Sequence, residues 1–263
     1  MNTGEGRTDV SFSDVSIIIP WRGSGPQRVD ALRVVQSMLT AMTDAQVIVA
    51  RMTDDSGPWR KAEAIMNGLR ASDRQYVVMH DADVVVHPED IRRALGAVRC
   101  EIAAWGMPHR LNHRLTEQAT KRVMRVADEA MALDVTSMHG VFEEIMIEAS
   151  EPASLEQVHP GHAGGGIVVM RRSLLVDIPP DIRFAGWGQE DDAWAHALTT
   201  LVGPPHRGEA PLYHLWHPPQ TRMDRVRGSR ESMDLYWRYT EAAKGGWHSM
   251  RALVNEAREA QGS

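Results

Sequence analysis

The chain has 263 residues, 43% apolar and 24% charged, enough for one elaborated domain with a sizeable core. A net charge of -6 excludes a global electrostatic footprint for nucleic acid or an anionic membrane and leaves room only for a local patch. The single cysteine, Cys100, excludes an intramolecular disulfide and a cysteine-rich zinc site, and the polar start and short apolar runs predict neither a signal peptide nor a membrane span.

Val15 to Trp21, VSIIIPW, is a β-branched run stopped by proline and reads as a buried parallel strand. RVDALRVVQSMLTAM spaces its apolar residues at helical intervals, AQVIVAR reads as a second buried strand, and PWRKAEAIMNGLRAS as a second helix with Pro58 near its start. QYVVMHDADVVV is a third strand that runs into acidic residues. This alternation predicts an α/β fold, a mostly parallel central sheet flanked by helices, with ligands gathering at the carboxyl ends of the strands. Pro20-Trp21-Arg22, Asp54-Asp55 and Asp81 to Asp83 all fall at such ends.

The second half carries helical patterns near 115–132 and 140–148, then HAGGGIVVMRRSLL, RFAGWGQEDDAWAHAL, a strand APLYHLWH, and two helices from Ser232. With no internal repeat and no linker, a nucleotide-binding half (about 15–100) and an acceptor-binding half (about 101–230) are expected to share one core, followed by the C-terminal helices 231–263.

Several constellations carry chemistry. Arg60 and Lys61 open the second helix beside Asp54 and Asp55, either as a solvated charged face or as a cationic start that meets a phosphate or base. Asp81 and Asp83, two apart at a strand end, are turn residues or ligands of a divalent cation that also bridges nucleotide phosphates. Gly164 to Gly166 mark a tight turn or, at Gly165 and Gly166, a close approach to a sugar. Glu190, Asp191 and Asp192 suit the first turn of a helix as caps, and equally suit a reactive site. His214 and His217 end a strand, as structural histidines or as imidazole ligands completing a metal set with the aspartates. Arg222, Arg225, Arg227 and Arg230 lie in a Gly/Ser-containing stretch read as a loop whose arginines can neutralise a departing diphosphate.

In this order SIIIPWR, PWRKAEAIMNGL, HDADVVV, GGGIVVMRR, FAGWGQEDDAW and HLWH resemble a metal-dependent GT-A-fold glycosyltransferase, family-2-like with a galactosyltransferase-type second half, over roughly 15–230. The resemblance implies Asp83 as a metal ligand, Asp81 near the nucleotide ribose or metal waters, and His217 as the downstream metal histidine. His214 stands where β-1,4-galactosyltransferases have a methionine ligand. The Gly-Trp-Gly-x-Glu-Asp segment implies Trp187 and Gly188 against the sugars, Glu190 on acceptor or donor hydroxyls, and Asp191 as the general base of an inverting transfer. Pro20, Trp21, Arg22, Asp54, Asp55, Arg60, Lys61, Arg222 and Arg225 are then expected around the donor.

The expected reaction moves a sugar from a nucleoside-diphosphate sugar, a UDP-sugar first, to an acceptor hydroxyl, with Mn2+ or else Mg2+ as cofactor. The acceptor is a glycan, a protein, a small molecule or a modified nucleic-acid base, and the expected setting is the cytoplasm of a bacterial or viral system. Two alternatives stand beside this: a sugar-nucleotide nucleotidylyltransferase, and a non-catalytic carbohydrate-binding module of the same fold.

Overall fold

A computed structural model describes residues 11–23, 25–131, 143–144, 146–147, 149–160, 164–186, 188–218 and 222–262. The three β-branched runs form strands β1 (Val15–Pro20), β2 (Gln46–Ala50) and β3 (Tyr76–His80), paired in parallel in the order β2-β1-β3. They are joined by helices α1 (Pro26–Met42) and α2 (Lys61–Ala71). Helix α2 starts at Lys61 rather than at Pro58, because Trp59 is buried against Met52 and Ala64 and its carbonyl accepts the Gly186 N–H.

After β3 come β4 (Val84–Val85), helix α3 (Pro88–Arg99), β5 (Trp105–Leu115), helix α4 (Glu117–Met131), β6 (Leu155–Pro160) and β7 (Ile167–Arg171). Helices α5 (Arg172–Asp177) and α6 (Glu190–Val202), strand β8 (His206–His214), and helices α7 (Arg222–Gly245) and α8 (Trp247–Gly262) complete the order. The eight strands form one sheet in the order β2-β1-β3-β7-β5-β8-β4, with β6 on β5.

The parallel expectation holds for β1 to β3 and for β5 with β8, whereas β7 on β3, β5 on β7, β4 on β8 and β6 on β5 are antiparallel. The sheet is therefore mixed beyond its first half. Strand β5, WGMPHRLNHRL, hides from a periodicity reading because it contains a proline and several charges. Pro108 falls where the register with β8 shifts, between Met107 and His109, the kind of irregularity at which a strand accommodates proline.

Successive residues point to opposite faces of a strand, and the cores divide accordingly. Ile17, Ile19, Val78 and Val169 pack with α1, α3 and α4 on one face. Ile18, Val77, Met79 and Val168 pack with α2, α6, α7 and α8 on the other. The two C-terminal helices brace the segment that leads into α6. Tyr239 donates from its hydroxyl to the buried Asp181 carboxylate at 3.0 Å, Arg183 forks onto the same carboxylate, and Ser232 exchanges hydrogen bonds with the Ala185 backbone.

The arginine stretch expected as a loop is instead the start of α7 at Arg222. A lone helical glycine such as Gly228 costs only about 1 kcal/mol against alanine, too little to break a helix. The side chains of Arg222 and Arg225 lie outside the described set. Among the described residues, no helix is long and apolar enough to cross a membrane.

Candidate active site

Two clusters of polar side chains meet at the carboxyl end of β3. The turn between β3 and β4 carries Asp81 and Asp83, and β4 pairs with the end of β8 so that Val84 lies opposite His214. The pairing continues one step further, since the Leu215 N–H donates to the Asp83 carbonyl at 2.8 Å. This register brings His217 Nε2 to 3.3 Å and His214 Nε2 to 3.9 Å from the Asp83 carboxylate oxygens. One ligand atom from each of Asp83, His214 and His217 lies within 4.8 Å of the others, a donor set that could hold a divalent cation.

The chemistry of that set fits a cation. The Pro218 carbonyl, 3.0 Å from His217 Nδ1, can only accept, so a neutral ring keeps its proton on Nδ1. It then turns the Nε2 lone pair toward a carboxylate, and two acceptors face each other unless a cation stands between them. Burial depresses the pKa of His214, which leaves its imidazole neutral at pH 7 and able to ligate. Burial alone would raise the Asp83 carboxyl, but His214, His217 and Arg28 hold it far below the usual carboxylate range.

Arg28 is the residue that periodicity did not find. Its guanidinium, from the first turn of α1, lies 3.9 Å from Asp83 Oδ2 and 3.4 Å from each ring nitrogen of His217. In sequence it is one more charge on an amphipathic helix, and nothing local marks it.

The second cluster centres on Lys61, whose ammonium bridges Asp81 at 2.7 Å and both Asp191 oxygens at 3.1 Å. Burial would lower the lysine's pKa, but Asp191, Asp81 and Glu190 more than offset it and hold the ammonium well above its ordinary range. Arg60, its neighbour, points away to Glu63 at 3.4 Å and is exposed. Gln189, the residue before α6, is in the left-handed region at φ 69 and provides no side-chain cap, and Asp191 in the first turn pairs with Lys61. The Gln189 Oε1 atom is buried and has no hydrogen-bond partner among the described residues, an acceptor suited to a ligand hydroxyl.

Glu190 is pushed up to about 7, by burial first and by the Asp191 charge second, with Lys61 opposing. A carboxyl whose folded pKa exceeds its ordinary 4.5 costs no stability below pH 4.5, costs progressively more as pH rises through about 7, and costs a constant amount above that. Glu190→Gln removes that cost. The melting temperature of the variant should therefore gain on the wild type between pH 5 and pH 8, and a gap that does not change with pH would refute the assignment.

Pro20 and Trp21 are buried at the end of β1, where the Trp21 N–H donates to the Ala50 carbonyl at 2.7 Å. Arg22 donates to the Asp55 carbonyl at 3.2 Å and so ties the loops after β1 and β2 together. Asp54 accepts from the Ser56 N–H and hydroxyl in a local turn. Gly165 is buried, while Gly166, at φ +82, exchanges hydrogen bonds with Asp81. A side chain at Gly164 would meet the Asp191 carbonyl at 2.5 Å, so the close approach this glycine permits is between the segment leading into β7 and the first turn of α6. Gly188 is exposed beside open space, and Trp187 lies outside the described residues.

Comparison with known proteins supplies three findings. The model of the family described as "Glycosyltransferase like family 2" matches residues 11–178. No curated protein sequence matches the chain. Among solved structures, the chain is similar to glucosyl-3-phosphoglycerate synthase from Mycobacterium tuberculosis. Against its complex with Mn2+, UDP and glucosyl-3-phosphoglycerate the identity is 15%, over 88% of this chain and 80% of that one, with a TM-score of 0.49. Against the phosphoglyceric acid complex the values are 16%, 88%, 80% and 0.49, and against the complex with Mg2+ and UDP 13%, 88%, 79% and 0.47.

Proposed function

Because the chain belongs to the family-2-like glycosyltransferases, we propose that it moves a sugar from a UDP-sugar to an acceptor hydroxyl, with inversion and with a divalent cation. Its sheet of parallel and antiparallel strands with helices on both faces is the GT-A fold. The observation that carries the proposal is Lys61, which joins Asp81 of the Asp-x-Asp turn to Asp191 of the Gly-Trp-Gly-x-Glu-Asp segment. A base and a phosphate-side turn from distant parts of the chain are held together by one ammonium.

In the proposed reaction the acceptor oxygen attacks the anomeric carbon, and the bond from that carbon to the diphosphate oxygen breaks. The electron pair leaves with the nucleoside diphosphate, and the acceptor proton passes to Asp191. Glu190 and the unpartnered Gln189 Oε1 accept hydrogen bonds from sugar hydroxyls, beside Trp187 and Gly188. Asp83, His214 and His217 are the residues that would hold the cation, Mn2+ before Mg2+ because two of the three ligands are imidazoles. When bound, the cation supplies charge neutralisation for the departing diphosphate.

Pro20, Trp21, Arg22, Asp54, Asp55 and Arg60, at the ends of β1 and β2 and the start of α2, are proposed to frame the nucleotide. Arg222 and Arg225 are proposed to meet the diphosphate, and Gly165 and Gly166 to line the sugar. The family assignment favours this reading over nucleotidyl transfer.

Thermal shift with UDP, GDP, TDP and CDP, each with Mn2+ and with chelator, tests the donor. UDP with Mn2+ is expected to raise the melting temperature most, because stabilisation by a ligand grows with its affinity. Equal stabilisation by GDP would overturn the uridine preference, and no response to any diphosphate would overturn the donor class.

A further inference from the structure

We infer that Arg28 is an internal cation sharing the Asp83–His217 corner with the divalent ion, and that the ion binds only as the guanidinium swings out. The inference rests on the metal reading of Asp83, His214 and His217 and adds a competitor to it. A guanidinium is a fixed positive charge, and one of its nitrogens stands 3.4 Å from each ring nitrogen of His217, beside the Nε2 atom that a metal also needs. The same group lies 3.9 Å from the Asp83 oxygen that is itself 3.3 Å from His217 Nε2. Arg28 therefore stands against both protein atoms between which a divalent ion would lie.

Two cations in one half-buried corner repel strongly, since charges there are poorly screened by water. Only 11% of the Arg28 side chain is exposed, so its positive charge is held where water solvates it poorly. The arginine nevertheless gives the Asp83 carboxylate a partner, and a buried carboxylate without one would be costly. Once displaced, the flexible side chain carries a planar fork matched to phosphate oxygens, in the corner where the diphosphate is proposed to lie. Arrival of the ion thus frees a second phosphate-binding group.

Calorimetry with Mn2+ alone, without nucleotide or turnover, tests this on the wild type, Arg28→Met and Arg28→Lys. Arg28→Met is expected to bind Mn2+ about tenfold more tightly or better, because the competing charge is gone, while Arg28→Lys stays near the wild type. In chelator, Arg28→Met should melt below the wild type, and Mn2+ should raise its melting temperature by more. Should Arg28→Met fail to fold, Arg28→Gln carries the same expectation. Mn2+ binding by the wild type as tight as, or tighter than, binding by the uncharged variant would overturn the inference and leave the metal site standing. Equal tightening in Arg28→Lys would also overturn it, since size and not charge would then be at issue. Absence of Mn2+ binding in every protein would overturn the metal reading itself.

Discussion

Asp191→Asn is expected to slow sugar transfer by about a hundredfold or more and to leave affinity for the nucleotide sugar close to that of the wild type. Asparagine keeps the size of the side chain and one oxygen for the Lys61 ammonium, which contacts both Asp191 oxygens at 3.1 Å. What it cannot do is take up the acceptor proton. Glu190→Gln, on the same turn, is expected to weaken acceptor binding as well as rate, because Glu190 is proposed to hold sugar hydroxyls rather than to receive the proton.

Steady-state kinetics of the two variants separates these roles. Near-normal turnover by a folded Asp191→Asn protein would move the base to Glu190, whose buried carboxyl lies near pH 7 and so near the best pKa for proton transfer at neutral pH. Normal turnover by both would reduce the two carboxylates to structural partners of the buried Lys61 ammonium, which Asp191 contacts through both oxygens.

Asp83→Ala is expected to abolish Mn2+ binding in calorimetry and to make UDP binding indifferent to chelator. The carboxylate is the only oxygen ligand in the Asp83, His214 and His217 set, and it supplies the negative charge that draws a hard cation into a corner already holding Arg28. Removing the side chain leaves the backbone contact intact, since it is the Asp83 carbonyl that accepts the Leu215 N–H and anchors the end of β8. The variant should therefore keep its far-UV circular dichroism. Mn2+-dependent UDP binding retained by a folded Asp83→Ala protein would show that the ligand set lies elsewhere.

Much of this site was legible residue by residue, and its wiring was not. Asp81 and Asp83 stood out because carboxylates directly after a β-branched run must lie at a strand end, and the structure has β3 stop at His80 just before them. His214 and His217 stood out at the end of the strand read in APLYHLWH, and β8 ends on His214, three residues short of His217. Glu190 to Asp192 could be placed on the first turn of a helix, where α6 indeed begins. Whether they capped that helix or faced outward was open, since a helix start accommodates both. Lys61 was read as a companion of Arg60 toward the donor, yet the two diverge, one inward to Asp81 and Asp191 and one outward to Glu63.

By itself the sequence determined that β1, β2 and β3 are strands, that α1 and α2 lie between them, and which polar residues stand at their ends, whereas β5, the edge position of β2 and the helical start at Arg222 escaped it. Hydrophobic periodicity is a local record of which side of an element faces away from water. Only the tertiary structure decided which ends meet. Lys61 reaches Asp191 across 130 residues and Arg28 reaches His217 across 189, and neither pairing leaves a trace in local pattern. The antiparallel insertion of β7 between β3 and β5 was equally invisible, because a buried strand reads the same in both directions and its neighbours are chosen by how the two helical layers pack over the sheet.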